Sequence, residues 1–161
     1  MKNNAVLLLG TNMGSRETAL LTASNLIVQN LGSIQLKSGV YETEPWGNIS
    51  QAAFLNQALV ITTSIPAKEL LKGLLQIEET MGRKRKNKWE PRLIDIDILF
   101  FNDDVIHTDS LKVPHPLLQD RRFALTPLNE LMPAYRHPVL KRTVRELLSD
   151  CKDQQQVKLY I

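Results

Sequence analysis

The segment from Leu93 to Phe101 constrains the fold of this chain more than any other part of the sequence. It has the strongest strand pattern, bounded ahead by Pro91 and behind by residues 102–104. Within it, Asp95 and Asp97 are two positions apart, so their side chains point to one face of a strand and the neighbouring isoleucines to the other. We expect their Cα atoms to lie ~6.5–7 Å apart.

The two aspartates predict a metal site. Two like charges within an apolar strand are costly to bury unless a cation lies between or over them. Magnesium, which prefers a few carboxylates together with substrate phosphates, meets that need. The alternative is that each aspartate pairs with a nearby arginine at a solvated sheet surface.

The remaining apolar patterns predict the elements around this strand. The unbroken run from Ala5 to Leu9, closed by Gly10, predicts a central strand that is buried on both faces. The other predicted elements are a helix capped by Ser15 and ended by Gly32, strands from Ile34 to Tyr41 and from Phe54 to Ile61, a helix begun by Ser64 and Pro66 with Gly82 just past its end, a hairpin of residues 105–106 and 111–113, and a short helix from Val144 to Leu148. This order predicts an α+β fold, a ferredoxin-like α/β sandwich whose antiparallel sheet is covered by two helices on one face, with a C-terminal elaboration.

Composition predicts one soluble domain. With 161 residues, 43% of them apolar and 23% charged, the chain fits a single domain over residues 1–161. The single cysteine, Cys151, has no disulfide partner and no metal-binding spacing, which predicts a reducing, cytoplasmic compartment. The apolar run before Gly10 is too short for a leader or a membrane span, so we expect no membrane partner. A monomer is the default expectation.

Positive charge is concentrated just before the aspartates. The net charge is only +3, yet five of the six residues 83–88 are lysine or arginine, and Arg92 follows. Phosphoryl transfer needs cations around the phosphates that the metal also holds, so this loop predicts a nucleotide-phosphate site. Taken alone, such a run is more often a solvated loop or a nucleic-acid patch.

Other candidate ligand-binding residues are individually weaker. The segment from Gly10 to Gly14 lacks the lysine and spacing of a glycine-rich phosphate loop, so if ATP binds here, side chains rather than a glycine cradle hold it. Trp89 lies in the basic loop, and Phe54 and Phe123 offer flat faces to an aromatic ring, although phenylalanines are more often core residues. His115 lies between two prolines, and a lone histidine is usually structural.

The segment from Lys88 to Leu99, KWEPRLIDIDIL, resembles the signature of the 6-hydroxymethyl-7,8-dihydropterin pyrophosphokinase family. Residues 10–14, 41–45, 54–56, 82–83 and 113–116 also fall where that family has its recurrent segments, so the resemblance covers nearly the whole chain. It implies a ferredoxin-like sandwich that binds MgATP and then the pterin. The implied reaction transfers the β,γ-diphosphate of ATP to the hydroxymethyl oxygen and releases AMP, a step of folate biosynthesis.

The resemblance also implies roles for individual residues. Asp95 and Asp97 match the aspartates that hold two Mg²⁺ ions, and with Arg83 and Arg92 they form the implied catalytic set. The residues that match the site of the co-substrate ATP are Arg85, Trp89, Arg92, Ile98, Leu111, Lys112, His115 and Arg121. The residues that match the pterin pocket are Thr43, Glu44, Trp46, Phe54, Asn56, Trp89, Asp95 and Phe123.

Three positions depart from the family pattern. Glu90 stands where glycine or alanine is usual, Thr11 where serine is usual, and Arg122 where a small residue is common. The carboxylate of Glu90 adds negative charge to the loop that is expected to close over ATP.

The implied reaction also needs a general base, because the attacking hydroxyl must lose its proton. The candidates are Asp97 and a metal-bound water.

Two other functions fit part of the pattern. A metal-dependent nuclease or nucleotide hydrolase would also use paired aspartates and basic residues, with water as the acceptor and no need for a pterin. A non-catalytic nucleic-acid-binding module would use the basic loop and the aromatic residues, but it leaves Asp95 and Asp97 unexplained. We therefore expect small-molecule substrates and no nucleic-acid partner.

Overall fold

The computed structural model describes residues 2–44, 52–82 and 93–161, and within them the predicted strand and helix order is largely confirmed. The strands are β1 (Asn3–Thr11), β2 (Ser33–Lys37), β3 (Tyr41–Thr43), β4 (Phe54–Thr63), β5 (Asp95–Phe101), β6 (Ile106–His107), β7 (Lys112–Val113) and β8 (Val157–Leu159). The helices are α1 (Arg16–Asn30), α2 (Ala67–Gly82), α3 (Arg122–Leu131) and α4 (Val144–Asp150), with a 3₁₀ turn over Leu118–Asp120.

The main sheet is antiparallel and has the order β5-β1-β4-β3-β8, with β2 also paired to β4. Strands β1 and β2 are separated by β4, and β4 and β5 by β1, so each helix between them crosses over the sheet. This arrangement confirms the predicted ferredoxin-like sandwich. The strands β6 and β7 form a separate hairpin.

The central strand β1 is buried on both faces, as its apolar run predicts. Ala5, Leu7 and Leu9 pack into a core with α1 and α2, while Val6 and Leu8 belong to a second core on the other face of the sheet. All five side chains are at most 4% exposed. Each fully buried leucine stabilises the fold by about 1.5–3 kcal/mol relative to an exposed one.

The C-terminal third covers the second face of the sheet, which corrects the expectation of helices on one face only. Apolar residues of β1 and β5 face this side and need cover, which α3 and α4 supply through Leu125, Leu128 and Leu147. The ring of Phe100 meets that of Tyr135 edge to face at a centroid distance of 4.8 Å. The same third also adds β8 to the sheet edge, a strand that was not predicted.

The predicted strand from Ile34 to Tyr41 is divided into β2 and β3, because Ser38 interrupts the ladder. The Ser38 backbone N–H donates to the Ala58 carbonyl at 2.9 Å, while the Ala58 N–H donates to the Ser38 hydroxyl at 2.9 Å. The side chain thus replaces a backbone acceptor, and pairing with β4 resumes at Tyr41.

The other differences concern element ends. Ser15 is the N-cap of α1, but its hydroxyl bonds to the Thr18 hydroxyl at 2.9 Å rather than to the helix backbone. Gly82 is the last residue of α2 rather than the residue after it, and β5 begins at Asp95 instead of Leu93. No helix in the described ranges has the length and apolarity that crossing a membrane requires.

Candidate functional site

The candidate active site begins with a row of paired residues across one end of the sheet. Gly10 of β1 lies opposite Asp95 of β5 and opposite Asn56 of β4. These residues form part of the floor of a cavity of about 980 Å³. Its volume is at the upper end of the range for small-molecule pockets.

Gly10 allows the close approach of Asn56. A Cβ atom at position 10 would lie 2.6 Å from Asn56 Oδ1, so the Asn56 amide would have to shift. Asn56 is buried, so its amide is held against the bare backbone of β1 at the cavity floor. The sequence analysis associated Gly10 with a strand end and assigned it no role in a site.

Asp95 and Asp97 both line the cavity, while Ile96 and Ile98 are buried on the opposite face of β5. Asp95 is exposed and Asp97 is half-buried. The predicted side-chain alternation is therefore confirmed, but the burial cost that favoured a metal in the sequence analysis is smaller than assumed. The carboxylates point into an open cavity rather than into the core.

The chemistry of this pair suits a hard divalent cation. Carboxylate oxygens are the ligands that magnesium prefers, and the ion commonly completes its shell with water and phosphate oxygens. Within residues 2–44, 52–82 and 93–161, no group of three or more His, Cys, Asp or Glu side chains is arranged to hold a metal. A cation at Asp95 and Asp97 would thus need further ligands from a bound substrate.

Glu78 of α2 anchors the start of β5. Its carboxylate is buried and accepts a hydrogen bond from the backbone N–H of Ile96, between the two aspartates, at 2.7 Å. The sequence analysis did not single out Glu78. The available signal was its position four residues after Leu74, on the buried stripe of the helix, where a charged residue requires a specific partner.

Arg121 and Phe123 form one wall of the large cavity, at the start of α3. The guanidinium carbon of Arg121 lies 5.7 Å from the centroid of the Phe123 ring. Phe54, at the start of β4, lines the same cavity, so both phenylalanines that the sequence analysis singled out are brought to it.

Thr43 supplies a polar group to the same cavity. Its side chain is buried, and its hydroxyl oxygen has no hydrogen-bond partner in the described part of the chain. A buried hydroxyl without a partner is costly, so this group is suited to bind a polar ligand atom. Glu44 is exposed and is not among the residues that line the cavity.

A second cavity, of about 240 Å³, lies beside the first and also has Asp97 in its wall. Four residues that match the family's ATP site line it: Ile98, Leu111, Lys112 and His115. Arg121, assigned to the same ATP site, lines the large cavity instead.

His115 is fixed by its backbone and by its ring. Its N–H donates to the Leu99 carbonyl at 3.0 Å, and its Nδ1 accepts from the Leu117 N–H at 3.2 Å. Burial lowers the pKa of His115 below its usual value, Asp97 partly opposes this shift, and Arg121 adds to it. The imidazole is therefore influenced by the charge of Asp97, which lines both cavities, and by that of Arg121, which lines the large cavity.

Five predicted site residues lie outside the described residues: Trp46, Arg83, Arg85, Trp89 and Arg92. Glu90, which departs from the family pattern, lies outside them as well. In contrast, three cavity residues come from the C-terminal segment, which the sequence analysis did not associate with the site: Lys152, Asp153 and Gln155. No residue pattern in that polar segment signals a role in binding.

Comparisons with known proteins agree with this geometry. Residues 6–133 match the family model described as 7,8-dihydro-6-hydroxymethylpterin-pyrophosphokinase (HPPK). The chain is 43% identical over 138 residues to 2-amino-4-hydroxy-6-hydroxymethyldihydropteridine pyrophosphokinase of Aquifex aeolicus, covering 86% of each chain. It is 41% identical over 161 residues to the enzyme of that name from Bacillus subtilis, covering 99% of this chain and 92% of the relative.

Solved structures show the same fold. One is Plasmodium falciparum HPPK-DHPS wild type with SDX-DHP, which superposes with a TM-score of 0.74 at 24% identity and covers 92% of this chain. This chain spans only 44% of that longer protein, so this likeness supports the fold alone. From the family model and the two bacterial relatives, the chain belongs to the 7,8-dihydro-6-hydroxymethylpterin-pyrophosphokinase family, whose activity, ATP-dependent diphosphate transfer to hydroxymethyldihydropterin in folate biosynthesis, is the one that its motifs predict.

Proposed function

We propose that the large cavity binds 6-hydroxymethyl-7,8-dihydropterin, that the small cavity receives the adenine and ribose of ATP, and that the diphosphate passes between them beside Asp97. The observation that carries this assignment is the position of Asp97, which lines both cavities. Transfer needs the acceptor hydroxyl and the β-phosphorus to meet at one place, and positioning of this kind supplies much of the rate enhancement. The Asp97 carboxylate lies where the two cavities adjoin, which is where these two groups would meet.

Asp95 and Asp97 would hold two Mg²⁺ ions together with the phosphate oxygens of ATP. Bound there, magnesium neutralises the charge of the triphosphate and of the diphosphate in transfer. The open position of both carboxylates at the cavity surface supports this role, because it leaves room for substrate oxygens.

The pterin ring would be held between the two phenylalanine side chains, Phe54 and Phe123, and recognised by polar groups at the cavity floor. The hydroxyl of Thr43 and the amide of Asn56 supply a donor and an acceptor for the polar edge of a pterin. We retain Glu44, Trp46 and Trp89 as proposed pterin-binding residues on the family pattern alone.

The hydroxymethyl oxygen attacks the β-phosphorus, the bond from that phosphorus to the α–β bridging oxygen breaks, and AMP leaves with the bridging oxygen. His115, in the wall of the small cavity, and Arg121, in the wall of the large cavity, would bind phosphate oxygens. The hydroxyl proton is taken by Asp97 or by water. We also propose phosphate contacts for Arg83, Arg85 and Arg92 on the family pattern.

We further propose that residues 1–161 act as one catalytic domain, as a monomer in the cytoplasm. The two cores of the described part of the chain share the single main sheet, which supports one folding unit. The single cysteine is compatible with a reducing compartment.

The test mixes the protein with ATP, Mg²⁺ and 6-hydroxymethyl-7,8-dihydropterin and follows AMP and pterin diphosphate by chromatography. We expect equal amounts of both products, and neither product when the pterin or the metal is omitted. AMP or ADP formed without the pterin would instead indicate a nucleotide hydrolase. Absence of turnover together with salt-dependent binding to RNA or DNA would indicate a nucleic-acid-binding module.

A further inference from the structure

The first residue of α3, Arg122, is bonded to the chain segment that follows α4. Its Nε donates to the carbonyl of Asp153 at 2.8 Å, and its Nη2 donates to the carbonyl of Cys151 at 3.0 Å. Its backbone N–H donates to the Asp153 carboxylate at 3.1 Å. One residue thus makes three hydrogen bonds to residues 151–153.

The same segment is bonded at its other end to the sheet. The second oxygen of the Asp153 carboxylate accepts from the Gln155 N–H at 2.9 Å, and the Gln155 side-chain amide donates to the Glu44 carbonyl. Glu44 directly follows β3. Residues 151–155 therefore connect the start of α3 with the end of β3.

This connection borders the large cavity. Arg121 and Phe123, the residues on either side of Arg122, line one part of the wall, and Lys152, Asp153 and Gln155 line another. Residues 151–156 have no regular secondary structure, so backbone ladders do not fix their shape. The hydrogen bonds of Arg122 and Gln155 fix the shape of this segment instead.

We propose that Arg122 is a positioning residue, which holds residues 151–155 as a wall of the cavity and thereby sets the affinity for the pterin. This inference rests on the proposed assignment of the large cavity to the pterin. Arg122 itself is not among the residues that line the cavity, so it acts through the segment that it holds.

The guanidinium group matches the geometry of the two carbonyls that it reaches. Two N–H groups in a fixed plane reach two carbonyls that are two residues apart in the chain. A lysine ammonium keeps the charge but is a point donor on a flexible stem, so it does not reproduce the paired geometry. A small side chain makes neither bond.

A purely structural role makes a different prediction from a positioning role. If Arg122 only stabilised the C-terminal region, its loss would lower the free energy of unfolding. The binding of the two substrates would then be weakened equally or not at all. If it positions the pterin wall, its loss weakens pterin binding and leaves binding of MgATP nearly unchanged, because residues 151–155 are absent from the small cavity.

The experiment compares wild type with Arg122→Lys, Arg122→Ala and Gln155→Ala. The matched control is Arg136→Ala, which removes a guanidinium bond to the Lys141 carbonyl of 2.6 Å on a surface that borders neither cavity. Titration calorimetry gives the Kd of a non-hydrolysable ATP analogue with Mg²⁺, and then that of the dihydropterin on the nucleotide-loaded protein. Hydrogen exchange of residues 151–155 and urea unfolding are measured in parallel.

For both Arg122 variants and for Gln155→Ala, we expect the pterin Kd to rise about tenfold, corresponding to about 1.4 kcal/mol, with the nucleotide Kd within about twofold of wild type. The amides of residues 151–155 should exchange faster. The double variant Arg122→Ala with Gln155→Ala should lose less than the product of the single effects, because both bonds hold one segment. Arg136→Ala should leave both Kd values unchanged.

Two results overturn the role of Arg122: a pterin Kd that stays at the wild-type value, or equal losses of pterin and nucleotide binding. Failure of the wild-type protein to bind dihydropterin at all is a separate result, because it overturns the cavity assignment itself and with it this inference. The exchange data then show whether the segment is still held by Arg122.

Discussion

The carboxylate of Glu78 accepts a hydrogen bond from the backbone N–H of Ile96 at 2.7 Å, between the two aspartates of β5. Glu78 belongs to α2 and Ile96 is buried against that helix, so this bond ties the start of β5, which carries the candidate metal site, to the hydrophobic core. Side chains that hold a metal must keep their positions when substrate binds. The hydrogen bond from Ile96 to Glu78 helps to meet this requirement, because it fixes the backbone at the start of β5.

We predict that Glu78→Ala destabilises the protein and weakens magnesium-dependent activity. Removing a charged acceptor from a buried N–H costs about 1.5–3 kcal/mol of unfolding free energy, measured by urea unfolding. The Mg²⁺ concentration for half-maximal AMP formation should rise, because the start of β5 is no longer fixed. Glu78→Gln keeps an acceptor oxygen and should lose less, whereas Glu79→Ala on the exposed side of α2 should change neither quantity.

A second prediction concerns Asp97. Asp97→Ala should reduce the rate of pterin diphosphate formation at least about 10³-fold, because it removes a charge that, on the proposed function, would hold the cations on the transferred group. The fold should persist, since the side chain is half-buried at the cavity rather than in the core. Chromatographic turnover assays and circular dichroism measure these effects. Turnover close to that of wild type would contradict the two-metal assignment.

The control for Asp97 is Asp104→Ala. Asp104 follows β5 and is exposed, and it lines neither the large nor the small cavity. Its removal changes the net charge by the same amount as the removal of Asp97. If both variants lost activity equally, the loss would reflect overall charge rather than metal binding.

The sequence predicted those parts of the candidate site whose position follows from strand alternation or whose role follows from residue chemistry. Alternation along β5 placed Asp95 and Asp97 on one face, and the aromatic residues Phe54 and Phe123 were predicted on chemistry that does not depend on detailed packing. The order of elements sufficed for the ferredoxin-like core, because few sheet orders accommodate it, but it did not predict β8 or the helices on the second face.

The features that the sequence did not predict depend on contacts between residues that are far apart in the chain. The division between β2 and β3 arises from the Ser38 hydroxyl, whose role requires knowledge of its partner Ala58. Gln155 reaches the carbonyl of Glu44 across a sequence separation of 111 residues. Polar residues of this kind carry no periodic signal, so their positions appear only after the chain has folded.

The third prediction tests the floor of the large cavity. Gly10→Ala places a methyl group 2.6 Å from Asn56 Oδ1, so the amide must move. We expect the KM for the dihydropterin to rise about tenfold while the KM for ATP stays within about twofold, a split that steady-state kinetics measures. Gly73→Ala is the control, because its added methyl meets the flexible end of the Leu31 side chain. An unchanged pterin KM would contradict the assignment of Asn56.

The last prediction concerns stability against pH and the buried ring of His137. Nδ1 of this ring accepts hydrogen bonds from the Val139 N–H at 3.1 Å and the Leu140 N–H at 3.0 Å, so the proton of the neutral ring is on Nε2. Burial lowers the pKa of His137 below its usual value. Protonation would also place a donor against two N–H groups.

Because the pKa of His137 is lower in the folded protein than in the unfolded one, the unfolded state binds more protons below about pH 6.5. The unfolding free energy contributed by His137 is therefore complete above that pH and falls as pH decreases, with a slope of at most about 1.4 kcal/mol per pH unit. Urea unfolding at pH 7.5, 6.5 and 5.5 measures it. His137→Asn, which retains an acceptor, should be less stable at pH 7.5 but lose less on acidification. His107→Asn, at an exposed position, should keep the wild-type slope, and an equal slope in all three proteins would exclude His137 as the titrating group.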